Sequence, residues 1–106
     1  MKLHVEIEGT GPDLVLLHGW GLNAGIWDGM ATELAATYRL HRIDLPGHGR
    51  SAWSSQCVTL DDFTRAVAPY VPRHATVLGW SLGGMIALHL ASLAPERIAA
   101  LVLIST

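Results

Sequence analysis

Apolar and polar residues along this chain fall into short blocks, some alternating in twos and some recurring every three to four. Leu3 to Ile7 alternates apolar with polar, the pattern of a half-exposed strand. Gly9, Gly11 and Pro12 then mark a turn. Leu14-Val15-Leu16-Leu17 is wholly apolar, which suits a strand buried on both faces. A glycine-rich loop, His18-Gly19-Trp20-Gly21, follows, and Asn23 is placed to cap a helix. In that helix Ile26, Met30 and Leu34 recur every four residues and predict its buried stripe. Leu40 to Ile43 reads as a strand, and Asp44 to Ser51 as a loop containing Pro46, Gly47 and Gly49.

Thr59 with Asp62 three residues on is a capping signature. The helix it opens puts Leu60, Phe63, Val67 and Val71 on one face. Ala75 to Leu78 is a further buried strand that runs into Gly79-Trp80-Ser81-Leu82-Gly83-Gly84. From there to Ala94 the chain is apolar nearly all round, which predicts a buried helix closed by Pro95. Ile98 to Ile104 is a last strand, apolar on both faces. Strands alternating with helices in this order predict an α/β fold, a mainly parallel sheet with helices on both faces. No repeat, linker or change of composition divides residues 1–106, so they read as one domain or part of one. A bare hydrophobic edge at Ile98 to Ile104 is unusual in sheets. We therefore expect further strands to follow and the chain to be a fragment, the alternative being a minimal domain with a partner on that edge.

Composition narrows the function classes. Half of the residues are hydrophobic, 15% are charged and the formal net charge is −2, which leaves no basic stripe for a phosphate backbone. Nucleic acid is not an expected partner. Cys57 is the only cysteine, so no internal disulfide or thiol-based zinc cluster can form, and an unpaired thiol suits a reducing compartment. The longest apolar run, Ile98 to Ile104, has seven residues, against about 18 for a membrane span. The N-terminus lacks the apolar segment of a secretory signal. The expectation is a cytoplasmic protein with no membrane, metal or cofactor requirement.

The chemistry gathers at Ser81. A serine hydroxyl becomes a useful nucleophile when a base takes its proton and the fold presents it. A sharp turn between a strand and a helix lifts the hydroxyl above the carboxyl end of the sheet. Such a turn crowds the positions two before and two after the serine. Gly79 and Gly83 stand there. Ester hydrolysis also needs N–H groups aimed at the tetrahedral oxyanion, at roughly 3 kcal/mol per donor. Leu82 N–H, just after the nucleophile, is one candidate. Trp20 N–H, in the loop after Leu14 to Leu17, is the other, and its ring is a candidate lining for an acyl pocket.

Three segments together carry a resemblance: His18 to Ala24, Asp44 to Ser51, and Gly79 to Gly84. In order and spacing they resemble the α/β-hydrolase superfamily, and Pro95-Glu96-Arg97 before the last strand fits as well. Trp20 and Trp80 make the chain most similar to the family of pimeloyl-[acyl-carrier protein] methyl ester esterases of biotin synthesis. The resemblance covers essentially the whole chain as the N-terminal portion of that fold, without its cap and C-terminal strands. It implies a serine carboxylesterase that removes a methyl group from a pimeloyl ester held on acyl carrier protein, monomeric at full length. It also implies that Ser81 is catalytic and that Trp20 and Leu82 bind substrate.

The fold orders its triad as serine, acid, histidine. After Ser81 the chain has one acid, Glu96, and one histidine, His89. His89 lies roughly 12 Å along a helix from the serine and cannot reach it, and Glu96 falls at the opposite end of the sheet. His74 precedes a strand, and His4 and His41 are predicted within strands. His18 is expected to brace the oxyanion loop, His48 to pack in the loop after Asp44, and Asp44 to hold that loop's turn. Trp27 reads as packing, and Trp53 and Cys57 as loop residues near the site. The triad's acid and base are expected beyond Thr106, so the chain alone should be inactive. Other readings stay open: a general carboxylesterase or C–C bond hydrolase on the same elbow, or an inactive truncated hydrolase. Dehalogenases and epoxide hydrolases require a carboxylate at Ser81.

Overall fold

The computed structural model describes residues 2–105. Five strands form one sheet: β1 (Val5–Glu8), β2 (Asp13–Leu17), β3 (Arg39–Ile43), β4 (Ala75–Trp80) and β5 (Ile98–Ile104). Their order is β1-β3-β2-β4-β5, with β1 antiparallel to β3 and every other pair parallel. The helices are α1 (Asp28–Ala35), α2 (Leu60–Val67) and α3 (Leu82–Leu93), with short 3₁₀ turns at Ala24–Trp27, Ala68–Tyr70 and Pro95–Arg97.

The apolar run in β2 explains the layers. Successive side chains point to opposite faces. Val15 and Leu17 join a core with Phe63 and Val67 of α2 and Ile86, Ala87 and Leu90 of α3. Leu14 and Leu16 join a second core with Ala24, Trp27 and Ala31 beneath α1. The predicted mainly parallel sheet with helices on both faces is present. The Thr59–Asp62 capping box is present too, with Thr59 Oγ1 accepting from Asp62 N–H at 3.1 Å and Asp62 Oδ2 accepting from Thr59 N–H at 2.9 Å.

Three expectations need correction. Of the expected stripe Ile26, Met30 and Leu34, only Leu34 packs against the core; Ile26 and Met30 are exposed, and Ala24, Trp27 and Ala31 are buried. Residues 24–27 wind as a 3₁₀ turn capped by Asn23, and the covered face runs through Trp27, Ala31 and Leu34, an ordinary helical stripe that includes a small residue. The first strand begins at Val5 rather than Leu3, so His4 lies outside it. The Leu3 N–H donates to Tyr70 Oη and the His4 N–H to Ser51 Oγ, while His4 O still accepts from Asp44 N–H at 3.0 Å, so side chains take only the donors there. Finally, α3 is buried on one side only. Met85, Leu88 and Leu93 are exposed, as are Val102, Leu103 and Ile104 of β5. Among the described residues, no helix is long and apolar enough to cross a membrane.

Candidate active site

The turn between β4 and α3 holds Ser81 at φ 55°, ψ −113°, a left-handed conformation that L-residues rarely adopt. Such a conformation costs about 1–3 kcal/mol and persists only where the surroundings over-determine it. Here they do. Ser81 N–H donates to Ile104 O of β5 at 2.9 Å, and Ser81 O accepts from Met85 N–H at 3.1 Å. The residue is exposed at the carboxyl end of the sheet.

The two glycines flanking the serine have separate jobs. A Cβ on Gly79 would lie 2.5 Å from the Gly83 carbonyl oxygen and from Gly84 Cα, so its absence lets strand and helix close on each other. A Cβ on Gly83 would overlap the Leu17 carbonyl and sit 2.7 Å from His18 O. Gly83 therefore makes room for the end of β2, a neighbour that the local spacing did not indicate. Gly19 packs on the other side, where a Cβ would stand 3.5 Å from Ser81 Cβ and from Trp80 O. The elbow and the His18–Leu22 loop are thus in direct contact. Among the described residues, neither Trp20 N–H nor Leu82 N–H has a hydrogen-bond acceptor.

The histidines at this end are engaged with backbone. His18 is fully buried, its Nδ1–H donating to Gly19 O at 2.7 Å and its Nε2 accepting from Leu45 N–H at 3.0 Å. Burial pushes its pKa below the ordinary value, which agrees with an Nε2 that must stay unprotonated to accept. His48 Nδ1–H donates to Pro46 O at 3.0 Å, and its Nε2 accepts from Gly21 N–H at 2.9 Å. Asp44 is buried and holds two backbone N–H groups, Ala24 at 2.7 Å and Arg50 at 3.0 Å. It does hold its turn, and Gly49 comes so close that a Cβ there would strike the carboxylate.

The remaining candidates lie elsewhere. His89 bonds Asp61 Oδ1 at 2.9 Å, tying α3 to α2, while Arg65 bonds the other oxygen of Asp61 at 2.7 Å. His41 pairs with Asp13 at 2.7 Å. Glu96 lies in the 3₁₀ turn before β5, at the end of the sheet away from Ser81. Trp27 is buried in the α1 core, as packing requires. Trp20 is 71% exposed, its ring edge-on to His48 at 5.0 Å and to Phe63 at 6.4 Å. These rings, with Trp53, line a 480 Å³ groove beside the loop. Cys57 is buried outside that groove, and desolvation raises its pKa, so its thiol is held in the less nucleophilic protonated form. Among the described residues, no cluster of three or more His, Cys, Asp or Glu is arranged to hold a metal.

Sequence reasoning missed the bond from Gly21 N–H to His48 and the part Phe63 plays beneath Trp20. Phe63 had been placed on the apolar face of α2, and only the docking of α2 beside the loop shows that it also meets the site.

The sequence profile of the alpha/beta hydrolase fold matches residues 12–106. The chain belongs to the α/β-hydrolase family. It is 47% identical over 99% of its length to the pimeloyl-[acyl-carrier protein] methyl ester esterase of Nitrosomonas europaea. It is 46% identical over its whole length to the protein of that name from Aeromonas salmonicida. This α/β-hydrolase chain spans only 41% and 42% of those two relatives. Among solved structures it is similar to a hydrolase from Pseudomonas aeruginosa PA01, 35% identical with a TM-score of 0.87 over 95% of this chain and 40% of that one. The epoxide hydrolase VrEH1 from Vigna radiata superimposes with a TM-score of 0.92 at 22% identity, covering 98% of this chain and 36% of its own, a likeness of fold alone.

Proposed function

We propose that this chain is the nucleophile-bearing, N-terminal portion of a serine carboxylesterase that cleaves the methyl ester of a pimeloyl chain carried on acyl carrier protein, in biotin synthesis. The observation that carries the reading is Ser81, exposed on a strained elbow beside two N–H groups without acceptors. Identity of 46–47% to the two methyl ester esterases across essentially the whole chain supports this substrate over that of a general carboxylesterase or a C–C bond hydrolase. An unpaired Cys57 suits a cytoplasmic setting.

Ser81 Oγ attacks the ester carbonyl carbon and gives its proton to a base. The carbonyl oxygen becomes an oxyanion that accepts from Trp20 N–H and Leu82 N–H. Collapse breaks the bond to the methoxy group, which leaves as methanol with that proton, and the acyl group stays on Ser81. Water, deprotonated by the same base, then attacks the acyl carbon. The free acid and Ser81 are restored.

The base and its acid come from outside residues 1–106, because His18, His48 and His89 are each engaged elsewhere. In the intact protein, Ser81→Ala is expected to lower kcat by roughly 10⁶-fold, read as methanol release from the carrier-bound ester. The isolated chain is expected to give almost no turnover of p-nitrophenyl acetate. A burst from it that Ser81→Ala abolishes would mean that residues 1–106 contain their own base, and would overturn that part of the reading.

A further inference from the structure

The loop carrying Trp20 is gripped on both sides of its α-carbon. The Gly19–Trp20 peptide is trans, so Gly19 O and Trp20 N–H point in opposite directions from one rigid plane. Gly19 O is held by His18 Nδ1–H at 2.7 Å and by Leu22 N–H at 3.3 Å. The next plane, Trp20–Gly21, is held at its other end, where Gly21 N–H donates to His48 Nε2 at 2.9 Å. The first plane governs φ of Trp20 and the second governs ψ. Both imidazoles are anchored to one further segment, His18 by Leu45 N–H and His48 by Pro46 O. Their rings lie 5.2 Å apart.

We propose that His48 is a positioning residue for the oxyanion loop: it pins the peptide plane after Trp20 while His18 pins the plane that carries the Trp20 N–H, and together they hold the whole turn, and with it that N–H, in place beside Ser81. This rests on the serine esterase reading above. The bonds to Gly19 O fix the first plane, but a turn closed by Leu22 N–H can still flip its central Trp20–Gly21 plane. Gly21 has φ +77°, which glycine adopts without strain, and open space where a Cβ would point, so no side chain of its own holds that plane. The acceptor at His48 Nε2 does. Its edge contact with the Trp20 ring adds a second hold on the same residue.

The test separates the acceptor from the ring. His48→Phe keeps an aromatic ring and removes the acceptor. His48→Gln places a carbonyl oxygen near the position of Nε2 and restores it. In the intact protein with p-nitrophenyl acetate, His48→Phe is expected to lower kcat by roughly 10- to 100-fold, since a displacement on the order of 1 Å costs up to that much. KM should stay within about twofold, and His48→Gln should recover most of kcat. Solvent exchange of the Gly21 amide, followed by NMR, should be slow in the wild type and in His48→Gln. Wild-type kcat in His48→Phe, or equal losses in both variants, overturns the clamp. Should His48→Phe fail to fold, an unprotected Gly21 amide in the wild type overturns it equally. Ser81→Ala is run alongside. If it retains turnover, the serine reading falls; if it is dead while His48→Phe is unimpaired, only the clamp falls.

Discussion

The elbow and the His18–Leu22 loop touch each other, yet they are held in shape by opposite means. At the elbow, shape is enforced by exclusion. Gly79 and Gly83 leave no space for a Cβ, and backbone closes on backbone. At the loop, shape is enforced by attachment. Two imidazoles supply the donor and the acceptor that its peptide groups need, and Gly21 has open space around it. A region held by exclusion is damaged by adding atoms. A region held by attachment is damaged by removing polar ones.

That contrast sets the order of the expected effects. The largest belongs to Gly83→Ala. Its methyl group would overlap the Leu17 carbonyl, and since backbone cannot yield as a flexible side chain does, the loss is expected to be about 3 kcal/mol or more. Urea denaturation measures it, and a cost below about 1 kcal/mol would show that the elbow is not packed as described. The middle effect belongs to His18→Phe, which keeps a ring but leaves Leu45 N–H without its acceptor. A buried donor left unmet costs about 1–3 kcal/mol.

His18 also gives a pH signature. Its pKa is lowered in the folded protein by burial, so the unfolded chain takes up its proton first as pH falls. Stability is therefore full above about 6.5, the ordinary imidazole value, and declines as pH falls from there toward the lowered folded value. His18→Phe should flatten that part of the stability profile, and an unchanged profile would remove His18 as its source. The smallest effect belongs to Thr59→Ala, away from both regions. Losing the cap of α2 should cost about 1 kcal/mol and leave kcat unchanged. A large fall in kcat would mean that Phe63, one turn into α2, holds Trp20 more firmly than its edge contact at 6.4 Å implies.

What could be read beforehand followed from how local each feature was. The β2 run, the capping box and the elbow depend on residues a few positions apart, so spacing exposed them. Elimination of His89 needed only the rise of a helix, and its pairing with Asp61 agrees. The phase of α1 was misread because the large apolar Ile26 and Met30 suggest a stripe that the fold leaves exposed, while small residues, Ala24 and Ala31, are buried with Trp27. The exposed side of α3 was missed because all-round apolar composition does not say which faces a fold covers. The bond from Gly21 to His48 was beyond reach for another reason. It joins residues 27 apart in sequence across two loops, and only the parallel pairing of β2 with β3 brings those loops together.

The bond from Ser81 N–H to Ile104 O has a mechanical consequence. The strained backbone of Ser81 is held in part by the fifth strand, whose Val102, Leu103 and Ile104 side chains are exposed. The backbone geometry of Ser81 and the position of the fifth strand are therefore linked through one hydrogen bond.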